Sequence, residues 1–222
     1  MSHAPAPFVY QPPLEPWLTV LHRDDDLLVL SKQSGLLCVA GKPAAHHDCL
    51  EARAKDRHPQ ALLVHRLDRE TSGIVVMAMN AKAQRHLGLQ FERRKLKKTY
   101  IARVCGHVAS ESGTINLPLA TDWPNRPKQK VDFVSGRTAQ TDWQVVAREE
   151  QATRLKLMPL TGRSHQLRVH MLSLGHPILG DSFYATGPAL AAADRLQLHA
   201  EALELHHPSG GRICRFTDPA PF

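Results

Sequence analysis

The sequence predicts an α+β fold: a central, mixed but mostly antiparallel β-sheet flanked by helices and loops. Two observations predict it. Strand-forming runs outnumber helical ones, and short turn-rich segments connect most of them, which argues against a regular alternation of strands and helices. The chain has 222 residues, of which 42% are hydrophobic, so it can fill a sizeable core and is not expected to be disordered.

A proline-rich leader is predicted at the start of the chain, residues 1–16, because it holds five prolines. We expect a flexible or surface-bound segment there, followed by a single domain over residues 17–222. In this domain, Thr19–Arg23 and Leu27–Lys32 predict a β-hairpin. Asp48 and Glu51 have the spacing of a capping box, and they predict a short helix that ends before Pro59.

The middle of the chain predicts a buried strand and then a basic helix. The continuous apolar run from Ile74 to Met79 is typical of a buried strand. Asn80 can cap a helix from Ala81 to about Arg94, with apolar side chains at four-residue steps on one face: Ala83, Leu87 and Phe91.

Further strands are predicted in the second half of the chain, with one more helix between them. Strand-forming runs lie at Thr99–Val104, Thr114–Leu119, Thr138–Ala147, Thr153–Leu160, Leu198–His206 and Arg212–Thr217. A helix from about Arg163 to Leu174 is predicted by a core stripe of Leu167, Met171 and Leu174, with Gly175 just past its end.

The charge distribution indicates a polyanionic partner. The formal net charge is +7, and residues 82–103 alone hold eight basic residues against one acidic residue. The ordinary interpretation of such a run is a solvated helix face, on which charges of both signs usually occur. Because almost all the charges here are positive, phosphate binding is favoured. The candidate contacts are Arg93, Arg94, Lys97 and Lys98.

A second basic segment, Asp122–Lys130, combines prolines, Trp123, Arg126, Lys128 and Lys130. A proline-stiffened loop of this composition suits phosphates and unstacked bases. In the alternative interpretation it is a basic surface turn, and Trp123 packs into the core.

Other classes of protein lack support in the sequence. No apolar stretch could span a membrane, no signal peptide is evident, and the four cysteines form no Cys-x-x-Cys pair, so we expect a cytoplasmic protein that does not bind membranes. The histidine pairs lack metal-ligand spacing, and no phosphate-binding glycine motif occurs. We therefore expect no metal and no cofactor.

Two segments concentrate chemically active side chains. Residues 64–73 carry His65, Arg66 and Asp68 just before the buried strand, which is a good place for a nucleophile. On composition alone, the favoured interpretation is that Asp68 caps a turn while the arginines face solvent. Residues 162–170 begin a helix, and their Arg163 and Arg168 suit a phosphate or a carboxylate.

These segments together resemble the RluA family of RNA pseudouridine synthases. The resemblance rests on three ordered motifs: HRLD with TSG at 65–73, KTY at 98–100, and GRSHQLRVH at 162–170 with GHPILGD at 175–181. It runs from about Trp17 to the C-terminus, and the loop at 122–131 resembles the dual-specificity members that modify 23S rRNA and tRNA. Gln33 stands where the family usually has Pro, and no S4 RNA-binding domain is expected.

The resemblance implies an α+β catalytic domain that isomerises uridine in structured RNA without a cofactor. It implies that Asp68 is the nucleophile, although attack at C1′, attack at C6 and assistance in removing the 2′ proton remain alternatives. It further implies that Arg168 pairs with Asp68, that Tyr100 stacks on the target base, and that Arg66 fills the gap left by the flipped base. His65 and Arg163 are expected to contact RNA.

Two other functions are alternatives to this one. A non-catalytic RNA-binding or ribosome-assembly module would retain the motifs only as architecture. A metal-dependent nuclease is disfavoured because clustered carboxylates for two metals are absent from the sequence. We expect the protein to act as a monomer.

Overall fold

A computed structural model describes residues 9–222 and confirms the predicted α+β class. Ten strands form one sheet, in which eight follow the order β1-β2-β4-β11-β5-β10-β9-β6, while β12 pairs with β11 and β3 with β4. All pairings in this sheet are antiparallel except that of β4 with β11. The two other strands, β7 and β8, form a separate antiparallel hairpin.

The strands have the following bounds: β1 Thr19–Arg23, β2 Leu27–Lys32, β3 Leu62–Leu63, β4 Ser72–Ala78, β5 Lys97–Cys105, β6 Ser112–Asn116, β7 Leu119–Thr121, β8 Gln129–Val131, β9 Gln140–Arg148, β10 Ala152–Pro159, β11 Leu198–His206 and β12 Ile213–Thr217. The helices are α1 Leu50–Arg57, α2 Ala81–Glu92, α3 Gln166–Ser173 and α4 Gly187–Ala191, with 3-10 turns at Ala44–His46 and Trp123–Asn125. The longest helix, α2, has 12 residues, and no helix described could cross a membrane.

Strand β4 lies in the middle of the core, as the apolar run predicted. Its side chains alternate between two hydrophobic clusters, with Val75 and Met77 in one and Ile74 and Val76 in the other. All seven of its residues are buried. Because β4 is fixed on both faces, it provides a rigid support for the loop that precedes it.

The start of α1 differs from the predicted capping box by one residue. The N-cap is Cys49, whose Sγ accepts from the Ala52 N–H at 3.5 Å. Asp48 is instead engaged with the guanidinium of Arg53, at 2.6 Å from Oδ1 to Nε. Arg53 is buried and therefore requires a charged partner, which outweighs the cap that Asp48 could have provided.

Helices α2 and α3 form where the sequence predicts them, but both are shorter than expected. Asn80 caps α2, accepting from the Ala83 N–H at 2.8 Å, and the helix ends at Glu92 because Arg94 is left-handed, with φ 55°. Helix α3 begins at Gln166 rather than Arg163, because His165 is also left-handed, with φ 53°. Gly175 follows its end with φ 88°, as the sequence predicted.

The second part of the leader contacts the body of the protein. The Tyr10 hydroxyl donates to the Asp48 carbonyl at 2.8 Å and accepts from the Leu37 N–H at 3.0 Å. The Pro13 carbonyl accepts from Arg53 Nη2 at 2.8 Å. Residues 1–8 of the expected leader lie outside the described residues.

Candidate active site

A cavity of about 260 Å³ opens where the loop before β4, strand β5 and the start of α3 meet. It is near the small end of the range for ligand pockets, so it suits one nucleoside rather than a helix of RNA. Its walls include residues from all three sequence motifs: His65, Arg66, Asp68, Lys98, Tyr100, Arg163, His165 and Arg168. The fold therefore brings together the candidate catalytic residues that the sequence places far apart.

Asp68 lies in the loop between β3 and β4, with its side chain 31% exposed. The turn that carries it is closed by the Thr71 N–H, which donates to the Asp68 carbonyl at 3.2 Å. Gly73 then brings the chain against β11 with φ 109°, where a Cβ atom would lie 2.3 Å from the Ala200 carbonyl oxygen. This close approach requires glycine, and it joins the Asp68 loop directly to the centre of the sheet.

Lys32 supports the same loop from beneath. Its buried ammonium donates to the carbonyls of Gln33, Leu36 and Arg69 at 2.7–2.8 Å. Burial lowers the pKa of Lys32 to about 8, against the opposing effect of the nearby Asp68 charge. The contact with the Arg69 carbonyl fixes the residue that follows Asp68, and the other two contacts tie it to the turn after β2.

Arg168 projects from α3 into the site and is 2% exposed. Its main partner is Asp181, which accepts from Nε at 2.8 Å and from Nη2 at 2.5 Å. The pairing with Asp68 that the resemblance implied is a longer contact, 3.9 Å from Nη1 to Oδ2, and Glu70 lies at 3.8 Å from Nη2. Arg168 thus supplies a fixed positive charge to Asp68 while Asp181 holds the guanidinium in place.

Tyr100 and Lys98 come from β5 and line the cavity opposite Asp68. Burial, together with the Asp68 charge, raises the pKa of Tyr100 above its ordinary value, so the hydroxyl keeps its proton at neutral pH. Lys98 Nζ donates to the Thr161 carbonyl at 3.0 Å, and burial beside Arg94 lowers its pKa to about 8.

His65 faces inward and has a structural contact as well as a place in the cavity wall. Its Nε2 accepts from the Val76 N–H at 3.0 Å, and its ring stacks on Phe91 at 4.5 Å. Strand β3 pairs with β4 only at residues 77 and 78, so His65 takes over as the acceptor where β3 ends. Its expected contact with RNA stays a prediction.

We expect His65 to make the protein acid-sensitive. Burial, and then the Lys98 charge, lower the pKa of His65 from 6.5 to about 3. Below pH 6.5 the unfolded chain therefore binds a proton at His65 that the folded protein does not bind. Stability should therefore be complete above pH 6.5 and fall as the pH drops towards 3. Between pH 6.5 and 4.5, the free energy of unfolding measured with urea should decrease in both proteins, and the decrease should be about 2 kcal/mol smaller in His65→Leu than in wild type.

The other buried histidines cancel in this difference, because both proteins contain them. Equal losses of stability in wild type and His65→Leu over that pH range would contradict the assignment. His58→Leu is the matched control: burial lowers the pKa of His58 as well, but His58 lies outside the cavity wall and makes none of the contacts of His65.

The basic residues divide into exposed and engaged groups. Arg66 is exposed in the cavity wall, and Arg93 and Arg94 are exposed just after α2, where the Arg94 charge acts on Lys98. Lys97 is also exposed, but it forms an ion pair with Glu204 at 2.8 Å. Arg163 lines the cavity, and its Nε donates to the Thr138 carbonyl at 3.1 Å.

The hairpin of β7 and β8 carries the second basic segment. Trp123 is 67% exposed, and the Arg126 guanidinium lies over its ring at 4.4 Å, so the alternative in which Trp123 packs into the core is wrong. Lys130 is exposed, 3.7 Å from Asp132, and Lys128 is half-buried. Arg126 also lines a second cavity of about 400 Å³, which adjoins Asp68.

Residues 26–173, two thirds of the chain, match the family model of RNA pseudouridylate synthase. The chain belongs to this family. It is 52% identical over 214 residues to the dual-specificity RNA pseudouridine synthase RluA of Escherichia coli K12, an alignment that covers 96% of this chain and 98% of that protein. The RluA protein of Vibrio parahaemolyticus is 50% identical, with 96% of this chain and 87% of that protein covered.

Solved structures agree with this family membership. Human RNA pseudouridylate synthase domain containing 1 matches with a TM-score of 0.76 and 28% identity, covering 92% of this chain and 84% of that one. The chain is therefore an RNA pseudouridine synthase, an isomerase, and not the non-catalytic module considered from sequence. No group of three or more potential metal ligands occurs within residues 9–222. The absence of a cofactor stays a prediction.

Sequence reasoning missed three residues of this pseudouridine synthase site. Asp181 holds Arg168, Glu70 lies 3.8 Å from the same guanidinium, and His165 lies 4.0 Å from Asp68. All three lie within the sequence motifs or between their residues, so the sequence did indicate that they are near the site. Which partner each would meet depends on tertiary contacts that spacing along the chain does not reveal.

Proposed function

We propose that the protein converts uridines to pseudouridine in two RNA classes, a hairpin loop of 23S rRNA and the anticodon stem-loop of tRNA. The observation that carries this is the site itself: a nucleoside-sized cavity containing Asp68, Tyr100 and Arg168, with a basic surface around its mouth. The 52% identity to a protein named for dual specificity supports two substrate classes.

The reaction breaks the N1–C1′ bond, turns the uracil and forms a C5–C1′ bond. The proton on C5 is lost and N1 gains one, so the product is an isomer and no oxidant or energy source is consumed. We assign Asp68 as the nucleophile that assists cleavage of the N1–C1′ bond. Arg168 stabilises its carboxylate without neutralising it, since Asp181 already accepts two of the guanidinium's hydrogen bonds.

Tyr100 provides a flat, half-buried wall against which the uracil can stack and turn. Because its hydroxyl stays protonated, it can hydrogen-bond to the base without adding a negative charge beside Asp68. Arg66 is exposed beside the cavity, where its side chain can enter the RNA stack and occupy the space that the flipped base leaves.

The exposed arginines at the end of α2 should contribute affinity for RNA that is independent of sequence. We expect the double variant Arg93→Gln, Arg94→Gln to bind cognate and unrelated hairpins more weakly, because each arginine neutralises a phosphate. The plot of log affinity against log salt concentration should become shallower by about 0.7 to 0.9 for each lost phosphate contact. Fluorescence anisotropy at four salt concentrations measures both quantities.

Two controls make this result specific. Lys55→Gln, Arg57→Gln removes the same charge from α1, which does not line the cavity, so it should leave the slope unchanged. Arg66→Ala should spare initial binding but slow flipping, seen with a fluorescent base next to the target. A slope unchanged in the Arg93, Arg94 variant would show that these arginines do not contact phosphates.

Product mapping tests the proposed function directly. The protein is incubated with unmodified tRNA transcripts and 23S rRNA fragments, without added nucleotide, and pseudouridine is mapped by position. We expect a few specific uridines in both RNA classes, and none with Asp68→Asn. Modification of a single class would contradict dual specificity, and modification of neither would contradict the function.

We also propose that the protein works as a monomer in the cytoplasm, where both RNA classes are made, and independently of membranes. The basic surface around one cavity supports this, since one chain carries a complete set of candidate catalytic residues. Light scattering with size exclusion, with and without RNA, tests the monomer.

A further inference from the structure

His165 is held in an unusual conformation directly beside Asp68. Its φ of 53° is left-handed, a strained backbone conformation for a residue other than glycine, and its side chain is buried. The ring stacks on Phe183 at 5.5 Å, and its Nε2 lies 4.0 Å from Asp68 Oδ2. Strain of this kind persists where surrounding contacts impose it, and here those contacts aim the imidazole at the nucleophile.

The contacts around His165 favour the tautomer that carries its proton on Nε2, which lies 4.0 Å from the Asp68 carboxylate. The Tyr184 hydroxyl accepts from the Gln129 N–H at 2.8 Å, so its own hydrogen is free to donate to His165 Nδ1 at 2.7 Å. A neutral imidazole that accepts at Nδ1 carries its hydrogen on Nε2, the nitrogen that faces Asp68.

Burial keeps this ring neutral, against most of the charged groups that face it. Asp68, Asp181 and Glu70 raise its pKa, but burial, the largest effect, and the Arg168 charge lower it, so the pKa lies below the ordinary value for histidine. At neutral pH the ring is therefore a hydrogen-bond donor to Asp68 with no charge of its own.

We propose that His165 is a positioning residue, whose Nε2–H hydrogen-bonds to Asp68 when RNA is bound and fixes the carboxylate for reaction. Tyr184 acts through His165 by setting its tautomer. Because Tyr184 is bonded to Gln129 in β8, two hydrogen bonds link the hairpin that carries Trp123 and Arg126 to His165, and the proposed bond to Asp68 is the third.

The inference rests on the proposed role of Asp68, and single-turnover kinetics with excess enzyme on a cognate hairpin test it. His165→Asn tolerates the left-handed backbone but removes the donor at Nε2, and we expect it to slow pseudouridine formation roughly 10- to 100-fold, since misplacement by about 1 Å can cost 100-fold. RNA affinity, measured separately, should change little. His165→Gln, whose amide nitrogen can reach the Nε2 position, should recover much of the rate.

A double-mutant cycle tests the link through Tyr184. Tyr184→Phe keeps the ring but loses the hydroxyl, and it should slow the reaction in wild type and have no further effect in His165→Asn. Tyr10→Phe is the matched control, because its hydroxyl also bonds to backbone groups but not to His165, and its rate should be unchanged.

Three results would overturn the inference. The first is a wild-type rate in His165→Asn. The second is a rate in His165→Gln no higher than in His165→Asn, with both rates falling in proportion to the loss of folding stability. The third is that the rate effects of the Tyr184 and His165 substitutions are additive. An inactive wild-type protein would be a different failure, because it would refute the proposed function rather than the role of His165.

Discussion

Replacing Asp68 with Asn is expected to reduce pseudouridine formation by at least about 100-fold while leaving the fold and RNA affinity nearly intact. The substitution keeps the shape of the side chain and removes only its charge, and the nucleophile of the proposed reaction is lost with that charge. Arg168 stays paired in this variant because its main partner is Asp181. Single-turnover rates and hairpin affinities, measured in parallel, give the two quantities.

Asp25→Asn provides the charge-matched control. Asp25 is an exposed aspartate in the turn between β1 and β2, away from the cavity, and its substitution should change neither rate nor affinity. Turnover by Asp68→Asn above about one hundredth of wild type would refute the role of Asp68, since loss of a general acid or base alone already costs about that factor.

The elements that could be predicted from sequence are those whose pattern is local. Strand β4 was recognisable because it is buried on both faces, so its residues from Ile74 onward are all apolar. The cap of α2 was recognisable because Asn80 bonds to a group only three residues away. Strand β11 was predicted with its observed bounds, Leu198–His206.

Features that depend on distant contacts could not be predicted. The short hairpin of β7 and β8 has three-residue strands, which are too brief to show an alternation, and the predicted strand Thr114–Leu119 is divided between β6 and β7. The late start of α3 follows from the left-handed His165, which tertiary contacts around the site hold in place.

The site shows the same division between local and distant information. The motifs indicated Asp68, Tyr100 and Arg168, and the structure brings all three to one cavity. The resemblance implied Asp68 as the partner of Arg168, whereas the closest carboxylate is that of Asp181. Asp181 lies 13 positions further along the chain, after a loop that folds back, so the spacing of the residues did not indicate this pair. Burial decides that pairing: Asp181 has no exposed surface, whereas Asp68 is 31% exposed and available to a substrate.

Replacing Asp181 with Asn is expected to be the most destabilising of these substitutions. Arg168 is 2% exposed and Asp181 fully buried, so the variant leaves a desolvated guanidinium without its main partner. Removing one partner of a buried ion pair typically lowers the free energy of unfolding by about 3 to 5 kcal/mol. Because Asp68 and Glu70 remain within 4 Å of the guanidinium, we expect a loss of about 3 kcal/mol. For a chain of this size the melting temperature should fall by about 10 °C, measured by calorimetry.

Two further variants separate a buried charge from a general packing defect. Glu51→Gln breaks the exposed ion pair with Lys55 and should cost at most about 0.5 kcal/mol. Adding Arg168→Met to Asp181→Asn removes the isolated charge, so the double variant should be more stable than Asp181→Asn alone, although catalytically impaired. If the double variant is the less stable of the two, the packing of the Arg168 guanidinium over the Phe183 and Tyr184 rings outweighs the cost of the unpaired charge.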